Sequence, residues 1–447
     1  MADKNNMKRC FFNLSGRPTK AMRFFSNQHN ITIENDPTTL STYDVVFFSL
    51  ISWRDFYTLA GIRKYKGNSE WVAGGNAVTN PTGVLNLVDY CYLGDAFYSF
   101  ESIYNGERDM VGMLKSSDIK PVTMNQETIY PYKISDGEII MSSGCKRRCY
   151  FCLNPWRRSY QENDPENIMD FINNRKTKGV SLSSNSSDDV SYYESMVIPK
   201  LEERGIMDLW HANSVPGMTE EYIKSKKAPM LFGVEGMSEA LRRIVNKPIK
   251  HEKLLEVIER SMFYGRQIDL MYQFNLPTET NADFQEMVAD ITSVKHYKTG
   301  SLGISFMPNQ PSSFSPMQWE APFYKVPMLE NLLEFGKSLF GNKKTGLPMY
   351  ISTPLYTKGW LQQILGEWIP INENVVSILK KIKNKKDTLE NMISIFGENG
   401  MDIEYVFKEK PQDFSFPWDF VSVRASKDEL WEQRNQMHKK MEARYTW

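Results

Sequence analysis

The chain has 447 residues, with 54 basic and 54 acidic side chains, 41% hydrophobic and 13% aromatic residues. That length exceeds one ordinary core and predicts two or three domains, and the balanced charge excludes a global field that would draw the protein to nucleic acid or a membrane, although a local patch would suffice for a nucleic-acid substrate. No run of 18 apolar residues argues for a transmembrane span; the polar start Met1–Asn6 lacks a signal peptide's apolar core, and five cysteines without a paired framework fit a reducing compartment, so cytoplasm is the expected location.

Residues 1–125 read as alternating strands and helices. Lys8–Leu14 is a candidate first strand, and the apolar run Tyr43–Leu50 suits a strand buried on both faces. Arg54–Lys64 reads as a helix, Glu70–Gly75 as a strand ending in paired glycines, Val84–Val88 as helical and Val88–Leu93 as a further strand. This alternation predicts a parallel, Rossmann-like sheet. Gly74-Gly75 falls at a strand's carboxyl end, where such sheets bind ligands, although paired glycines also simply make turns. Ser49-Leu50, Gly74-Gly75 and the run 88–95 (Val-Asp-Tyr-Cys-Tyr-Leu-Gly-Asp) together resemble a cobalamin-binding domain, in which the Ser and the Gly pair surround the nucleotide tail. The Asp-x-His-x-x-Gly motif whose His ligates cobalt is absent, since His29 sits in Asn27-Gln28-His29-Asn30. The resemblance therefore implies a degenerate domain of this kind, with cobalamin as a candidate cofactor.

Residues 96–133 read as a helix and a linker with Pro121 and Pro131 as breakers, and Glu138–Met141 as the strand that delivers the most informative stretch, Gly144–Cys152. Cys145, Cys149 and Cys152 have the spacing C-x3-C-x2-C. Thiolates select zinc or iron–sulfur centres. A structural zinc wants a fourth ligand and none is nearby, so an iron–sulfur cluster with one open iron is the better reading. A zinc site completed by a distant His and a metal-free loop are the alternatives. Lys146, Arg147 and Arg148 between the first two cysteines are loop surface, or tune the cluster, or meet a polyanion.

C-x3-C-x-aromatic-C, entered from a hydrophobic strand and Ser142-Ser143-Gly144, resembles the radical S-adenosylmethionine (SAM) superfamily. The resemblance implies that the three cysteines hold a [4Fe–4S] cluster, that the open iron binds SAM, and that electron transfer cleaves SAM to a 5′-deoxyadenosyl radical. It also implies an electron donor such as flavodoxin or ferredoxin, and Phe151 near the adenine.

Beyond the cysteines, strand–helix units repeat. Asp164-Pro165 opens a helix through about Lys178, and Gly179–Ser183 is the next strand, ending in Ser183-Ser184-Asn185-Ser186. The family's loop here holds the amino group of SAM, which makes Ser183 and Asn185 candidates beside their plain role in turns. Asp208–Ser214 is the third strand, with Asn213 at its mouth and His211 as a core or surface residue. Met230–Ser238 is the fourth; Glu235, Ser238 and Arg242 match the family's pattern as cofactor-binding residues, Arg242 for the SAM carboxylate or as an ordinary helix-face charge. Glu252–Tyr264 is an amphipathic helix. Ile268–Phe274 is the fifth strand, and Asn275-Leu276-Pro277-Thr278-Glu279-Thr280 resembles the Gly-Leu-Pro-Gly-Glu-Thr turn of this branch, which makes Asn275 a candidate cofactor contact. Leu302–Pro308 is the sixth, followed by Pro311–Trp319, a segment fit to close over the barrel mouth.

The expected fold class is α/β: a partial (β/α)6 radical SAM barrel over 134–320, preceded by a Rossmann-like domain over 1–125 and followed by a mainly helical extension over 325–447. That extension carries tryptophans 360, 368, 418, 431 and 447 and the lysine run 377–386, which reads as a solvated face or as a guide for a phosphate-rich substrate. It has no cysteine, which argues against family members with additional clusters. The expected function is a radical SAM enzyme acting on a small-molecule or nucleic-acid-derived substrate, such as a nucleic-acid base or modified nucleoside, by cobalamin-free rearrangement or group transfer. A cobalamin-dependent radical SAM methyltransferase and a non-catalytic metal-cluster binding protein are the alternatives. No membrane partner is expected, and the catalytic residues acting on the substrate are not legible.

Overall fold

The computed structural model describes residues 7–130, 133–135, 137–210, 212–294, 300–322, 324–341, 349–352, 357–383 and 387–444. Met1–Asn6, Pro131, His211, Lys385, Lys386 and Trp447 lie outside them.

A six-stranded sheet forms the N-terminal layer, built from Arg9–Phe12 (β1), Thr32–Glu34 (β2), Val45–Ser49 (β3), Glu70–Gly74 (β4), Tyr90–Tyr92 (β5) and Met113–Lys115 (β6) in the order β2-β1-β3-β4-β5-β6. Only β5–β6 is antiparallel. Val45, Val46, Phe47 and Phe48 are all buried, because a parallel strand is covered on both faces. The covering helices include Lys20–His29 (α1), Trp53–Ile62 (α2) and Ala96–Tyr104 (α3). Thr19 caps α1 by accepting from the Met22 amide at 3.2 Å, and Ser52 with Asp55 forms a capping box on α2. His29 packs its ring 4.6 Å from that of Tyr104 and lies 3.4 Å from Glu101, at the carboxyl end of α1.

Two expectations here are corrected. Val84–Val88 is turn rather than helix, since five residues after Pro81 and Gly83 cannot offset the cost of helix nucleation. The expected linker carries β6 and also Val122–Thr123 (β7), which pairs with Val421–Ser422 far down the chain.

The second layer is the barrel wall. Glu138–Ile140 (β8) leads into Ser142–Ser143 (β9), which pairs antiparallel with Gln161–Glu162 (β10) after Asn154–Arg157 (α4). Pro165–Asn173 (α5) starts at Asp164, which accepts from the Glu166 amide at 2.9 Å, and it stops before Lys178. Gly179–Ser183 (β11), Ile198–Arg204 (α6), Met207–Asp208 (β12), Ala212–Asn213 (β13), Glu220–Ser225 (α7), Met230–Glu235 (β14), Glu239–Ile244 (α8), His251–Phe263 (α9), Gln267–Phe274 (β15), Asn281–Ser293 (α10) and Ser301–Pro308 (β16) follow. All strand pairs in the orders β12-β11-β8 and β13-β14-β15-β16 are parallel. The third strand is therefore broken rather than continuous. Asp208 ends the first piece: its Oδ1 accepts from Leu182 N at 3.3 Å and Trp210 N at 2.9 Å, replacing ladder bonds, while Oδ2 takes Lys226 Nζ at 2.7 Å and Tyr193 OH at 2.6 Å.

After Val326–Gly341 (α11), the strand Met349–Ser352 (β17) pairs parallel with β16, so the extension contributes a strand to the barrel sheet as well as helices. Thr357–Trp368 (α12), Glu373–Lys381 (α13), Leu389–Glu398 (α14), Val421–Ser422 (β18) and Lys427–Arg444 (α15) complete the chain. Lys380, Lys381 and Lys383 are exposed, as a solvated face would be. One continuous apolar core joins the N-terminal sheet, the barrel and these helices. The parallel sheets and partial barrel agree with the expected fold class.

The segment Pro311–Trp319 is not a free flap. Ser313, Ser315 and Trp319 are at most 1% exposed. Half-buried Glu367 on α12 accepts from Ser313 N at 2.7 Å and Gln310 Nε2 at 2.9 Å, and Gln318 Oε1 accepts from Phe314 N and Trp418 Nε1. Burial pushes the Glu367 carboxyl up from 4.5 to about 7. A raised folded-state value means the contribution to stability is full below the unfolded value and is lost as pH rises through about 7. Glu367→Gln is expected to flatten the part of the stability–pH curve between about pH 4.5 and 7, measured by urea midpoints; an unchanged slope would refute it.

Candidate metal centre

Gly144, the residue before the first cysteine, has φ 71°, and a Cβ there would stand 2.3 Å from the Ser159 carbonyl oxygen, so glycine is required to start the loop. Four contacts hold the loop open as a shaped surface. Tyr150 N donates to Val245 O at 3.0 Å, Met317 N to Tyr150 O at 3.2 Å, Asn246 Nδ2 to Arg148 O at 2.9 Å, and Trp156 Nε1 to Cys149 O at 3.1 Å. Helix α15 adds Lys440, whose Nζ donates to Asn246 Oδ1 at 3.0 Å and lies 4.8 Å from the Tyr150 ring centre.

The three thiols are mutual neighbours in a poorly solvated place. Burial pushes Cys149 up to about 12 and Cys152 up to about 11, each further raised by a neighbouring cysteine and by Glu235, and each opposed by Lys247. Burial also raises Cys145. Such thiols become thiolates only with a cation to replace the proton, which suits a metal centre. Their sulfurs do not converge on one ion position: among the described residues, the groups compact enough for a single ion are His251/Glu286/Asp290 and Glu320/Glu409/His438. Neighbouring thiols that do not converge fit a multi-iron cluster better than one zinc. The remaining cysteines, Cys10 and Cys91, are fully buried in the N-terminal core, and burial raises both thiols.

The loop's cations are paired. Arg147 Nη2 reaches Asp189 at 2.8 Å and Asp188 at 3.2 Å; Lys146 Nζ reaches Asp189 O at 2.7 Å; Arg148 Nη2 reaches Glu429 at 3.1 Å. With Lys247 and Cys149 they line a cavity of about 370 Å³.

Several expected residues come together here. Asn185 Nδ2 donates to the Gly144 carbonyl, tying the loop after β11 to the cysteine loop. Ser183 Oγ, at the end of β11, accepts from Lys20 Nζ at 3.3 Å. Glu235 ends β14 in the left-handed region, φ 69°, at an irregularity in its pairing with β15. Its carboxylate takes Lys247 Nζ at 2.8 Å and Gln273 Nε2 at 2.6 Å. A non-glycine residue held there is strained, which is common where a side chain must be aimed at a site. Lys247 was missed: burial lowers its pKa, but Glu235 and Cys149 outweigh that and the net shift is upward. Only its position 12 residues after Glu235 and its place beside the cysteines reveal it.

Other candidates stand elsewhere. Ser238 is 1% exposed and caps α8, accepting from Leu241 N at 3.2 Å and bonding Asp283. Arg242 is fully buried, donating Nε to Ile249 O at 2.9 Å and Nη1 to Gly236 O at 3.2 Å, while its Nη2 is buried without a protein partner. Asn275 is 1% exposed with φ 64°, and its Oδ1 accepts from Lys325 N at 3.0 Å. Phe151 packs half-buried against the main core. Asn213 is buried, its Oδ1 accepting from Tyr222 OH at 2.5 Å.

Residues 139–291 match the radical SAM superfamily. No curated protein matches the chain in sequence. Among solved structures, the radical SAM methyltransferase TsrM from Kitasatospora setae, with cobalamin and a [4Fe–4S] cluster bound, is similar at 11% identity and TM-score 0.50, over 67% of this chain and 75% of that one. The cobalamin-dependent SAM radical enzyme OxsB, with aqua-cobalamin and SAM bound, is similar at 11% identity and TM-score 0.49, over 98% of this chain and 80% of that one. Residues 139–291 thus form a radical SAM domain, and the chain is an enzyme; the cofactors of that superfamily are a [4Fe–4S] cluster and SAM. No helix among the described residues is long and apolar enough to cross a membrane.

Proposed function

We propose that this radical SAM enzyme carries out a cobalamin-free rearrangement or group transfer on a small-molecule or nucleoside-type substrate, with Cys145, Cys149 and Cys152 holding the cluster. When bound, the cluster supplies the electron that cleaves SAM to a 5′-deoxyadenosyl radical. The chain's own part is to bind, orient and exclude water. Ser183, Asn185 and Glu235 line the approach to the cysteine loop and are the residues offered to SAM; Asn275 and Phe151 remain candidates beside them. Lys247 donates to the Glu235 carboxylate and holds it in place. The three regions 1–125, 134–320 and 325–447 act as support, barrel and cover.

The observation that carries the cobalamin-free part is the closed carboxyl end of β3, beside β4. Leu50 N donates to Gly74 O at 2.8 Å and Ala77 N to Leu50 O at 3.1 Å, and a Cβ at Gly75 would stand 2.4 Å from Leu50 O. Thr19 Oγ1 lies 2.9 Å from Ser49 Oγ. Helix α12 covers the flank: Tyr57 OH donates to Gln362 O at 2.8 Å, Asn80 Nδ2 to Glu367 O at 3.0 Å, and a Cβ at Gly83 would stand 2.2 Å from Gly366 O. The residues that would surround a nucleotide tail are thus bonded to one another. Among the described residues, no His faces that crevice.

The test is incubation of the reconstituted enzyme with hydroxocobalamin, desalting and visible spectroscopy. No retained corrinoid bands are expected; stoichiometric retention would overturn this reading in favour of a cobalamin-dependent methyltransferase. For the SAM site, Glu235→Gln is expected to weaken SAM binding about tenfold by anaerobic calorimetry, the scale of one lost charge-assisted hydrogen bond; undiminished affinity would remove Glu235 from the site.

A further inference from the structure

Arg157 and Arg158 follow the cysteine loop at the end of α4, where it meets the loops after β4 and β5. Arg157 donates Nη1 to Thr79 Oγ1 at 3.1 Å and Nη2 to Asn76 Oδ1 at 3.2 Å, both in the loop after β4, and its Nε is buried without a partner. Arg158 is 9% exposed, and both its Nε and its Nη2 are buried and unpartnered. Its remaining nitrogen lies 3.5 Å from Asp95, after β5. That carboxylate is already engaged, accepting from Phe97 N at 2.9 Å as the cap of α3 and from Thr128 Oγ1.

Of two adjacent guanidinium groups only Arg158 meets an acid, at 3.5 Å, and three N–H-bearing nitrogens are out of water with nothing to receive them. Buried charge is costly unless it is paired, and buried donors are nearly always satisfied. Water would accept the N–H groups but would not cancel the charge; an oxyanion does both, and guanidinium presents the fork that binds it. The position also suits a ligand, since open parallel sheets bind ligands at the carboxyl ends of their strands. Gly75 and Asn76 beside Arg157 are exposed, which leaves the cleft an entrance.

We propose that this cleft, between the carboxyl ends of β4 and β5 and the cysteine loop, binds an oxyanion of phosphate type, with Arg158 as its principal ligand and Arg157 beside it. The inference deepens the reading of the substrate given above, and rests on it: the substrate carries a phosphate. The shared chemistry has two sources, a phosphate ester carried by the substrate or free inorganic phosphate.

Calorimetry on the anaerobically reconstituted enzyme, with inorganic phosphate and adenosine 5′-monophosphate as probes and chloride of equal ionic strength as reference, tests it. Wild type is expected to bind both probes with a dissociation constant below about 1 mM, and Arg158→Gln to weaken both at least about tenfold. Asp95→Asn, which keeps a good helix cap but removes the competing charge, is expected to tighten binding several-fold. It decides the matter if Arg158→Gln fails to fold. No phosphate binding by wild type, equal binding by a folded Arg158→Gln enzyme, or no gain in Asp95→Asn would each overturn the proposal. Hydroxocobalamin retention bears on the cobalamin-free reading alone and is scored separately from phosphate binding. SAM cleavage is scored separately, so an enzyme that cleaves SAM but ignores phosphate refutes this site alone.

Discussion

Cys149→Ala is expected to lower the iron content of the anaerobically reconstituted protein from about four per chain to below about one, and to abolish SAM cleavage. Cys149 is 6% exposed and its carbonyl is held by Trp156, so the loop keeps its backbone without the thiol. Two remaining thiols, Cys145 and Cys152, do not make the three-point anchor that a cluster with one open iron requires. Burial pushes Cys149 up to about 12, and an alanine there offers no ligand atom in its place. Iron and sulfide analysis alongside the electronic spectrum measures this; a Cys149→Ala protein that keeps the cluster and cleaves SAM would contradict it.

The second large effect concerns stability. Lys226 and Asp208 form an ion pair at 2.7 Å with side chains 3% and 2% exposed. Lys226→Met leaves Asp208 buried with Tyr193 OH as its one side-chain donor, and is expected to cost about 3–5 kcal/mol, the usual cost of stranding a buried charge. Asp208 also ends β12 by accepting from Leu182 N and Trp210 N, so the break in the third barrel strand depends on its staying in place. Urea unfolding of the two proteins gives the difference; a loss under about 1 kcal/mol would mean that the pair is dispensable. The double change Lys226→Met with Asp208→Asn is expected to recover part of the loss, because no charge is then left unpaired.

Local features were the most legible. The cysteine triplet is a matter of spacing within eight residues, and Gly144 before it is a steric requirement of the turn. The buried strand Val45–Phe48 and the long strands β15 and β16 declared themselves by apolar content and alternation. Features that depend on distant partners were hidden. Lys247 gains meaning only from Glu235 and the cysteines. Strand β17 is four residues long and needs β16 beside it to exist. Arg242 donates to Gly236 O and Ile249 O, contacts that its place in the sequence does not announce. Likewise the polar, proline-rich segment Pro311–Trp319 reads as an exposed flap until Glu367 and Trp418, contributed from the far end of the chain, are seen to hold it down.

The chemistry assigned to the cysteine loop is tested most directly by reducing the anaerobically reconstituted enzyme with dithionite in the presence of SAM and measuring nucleoside products by mass spectrometry. A protein with about four irons per chain should release 5′-deoxyadenosine and methionine, and Cys149→Ala should release neither. A fully loaded wild-type cluster that leaves SAM intact would contradict the account.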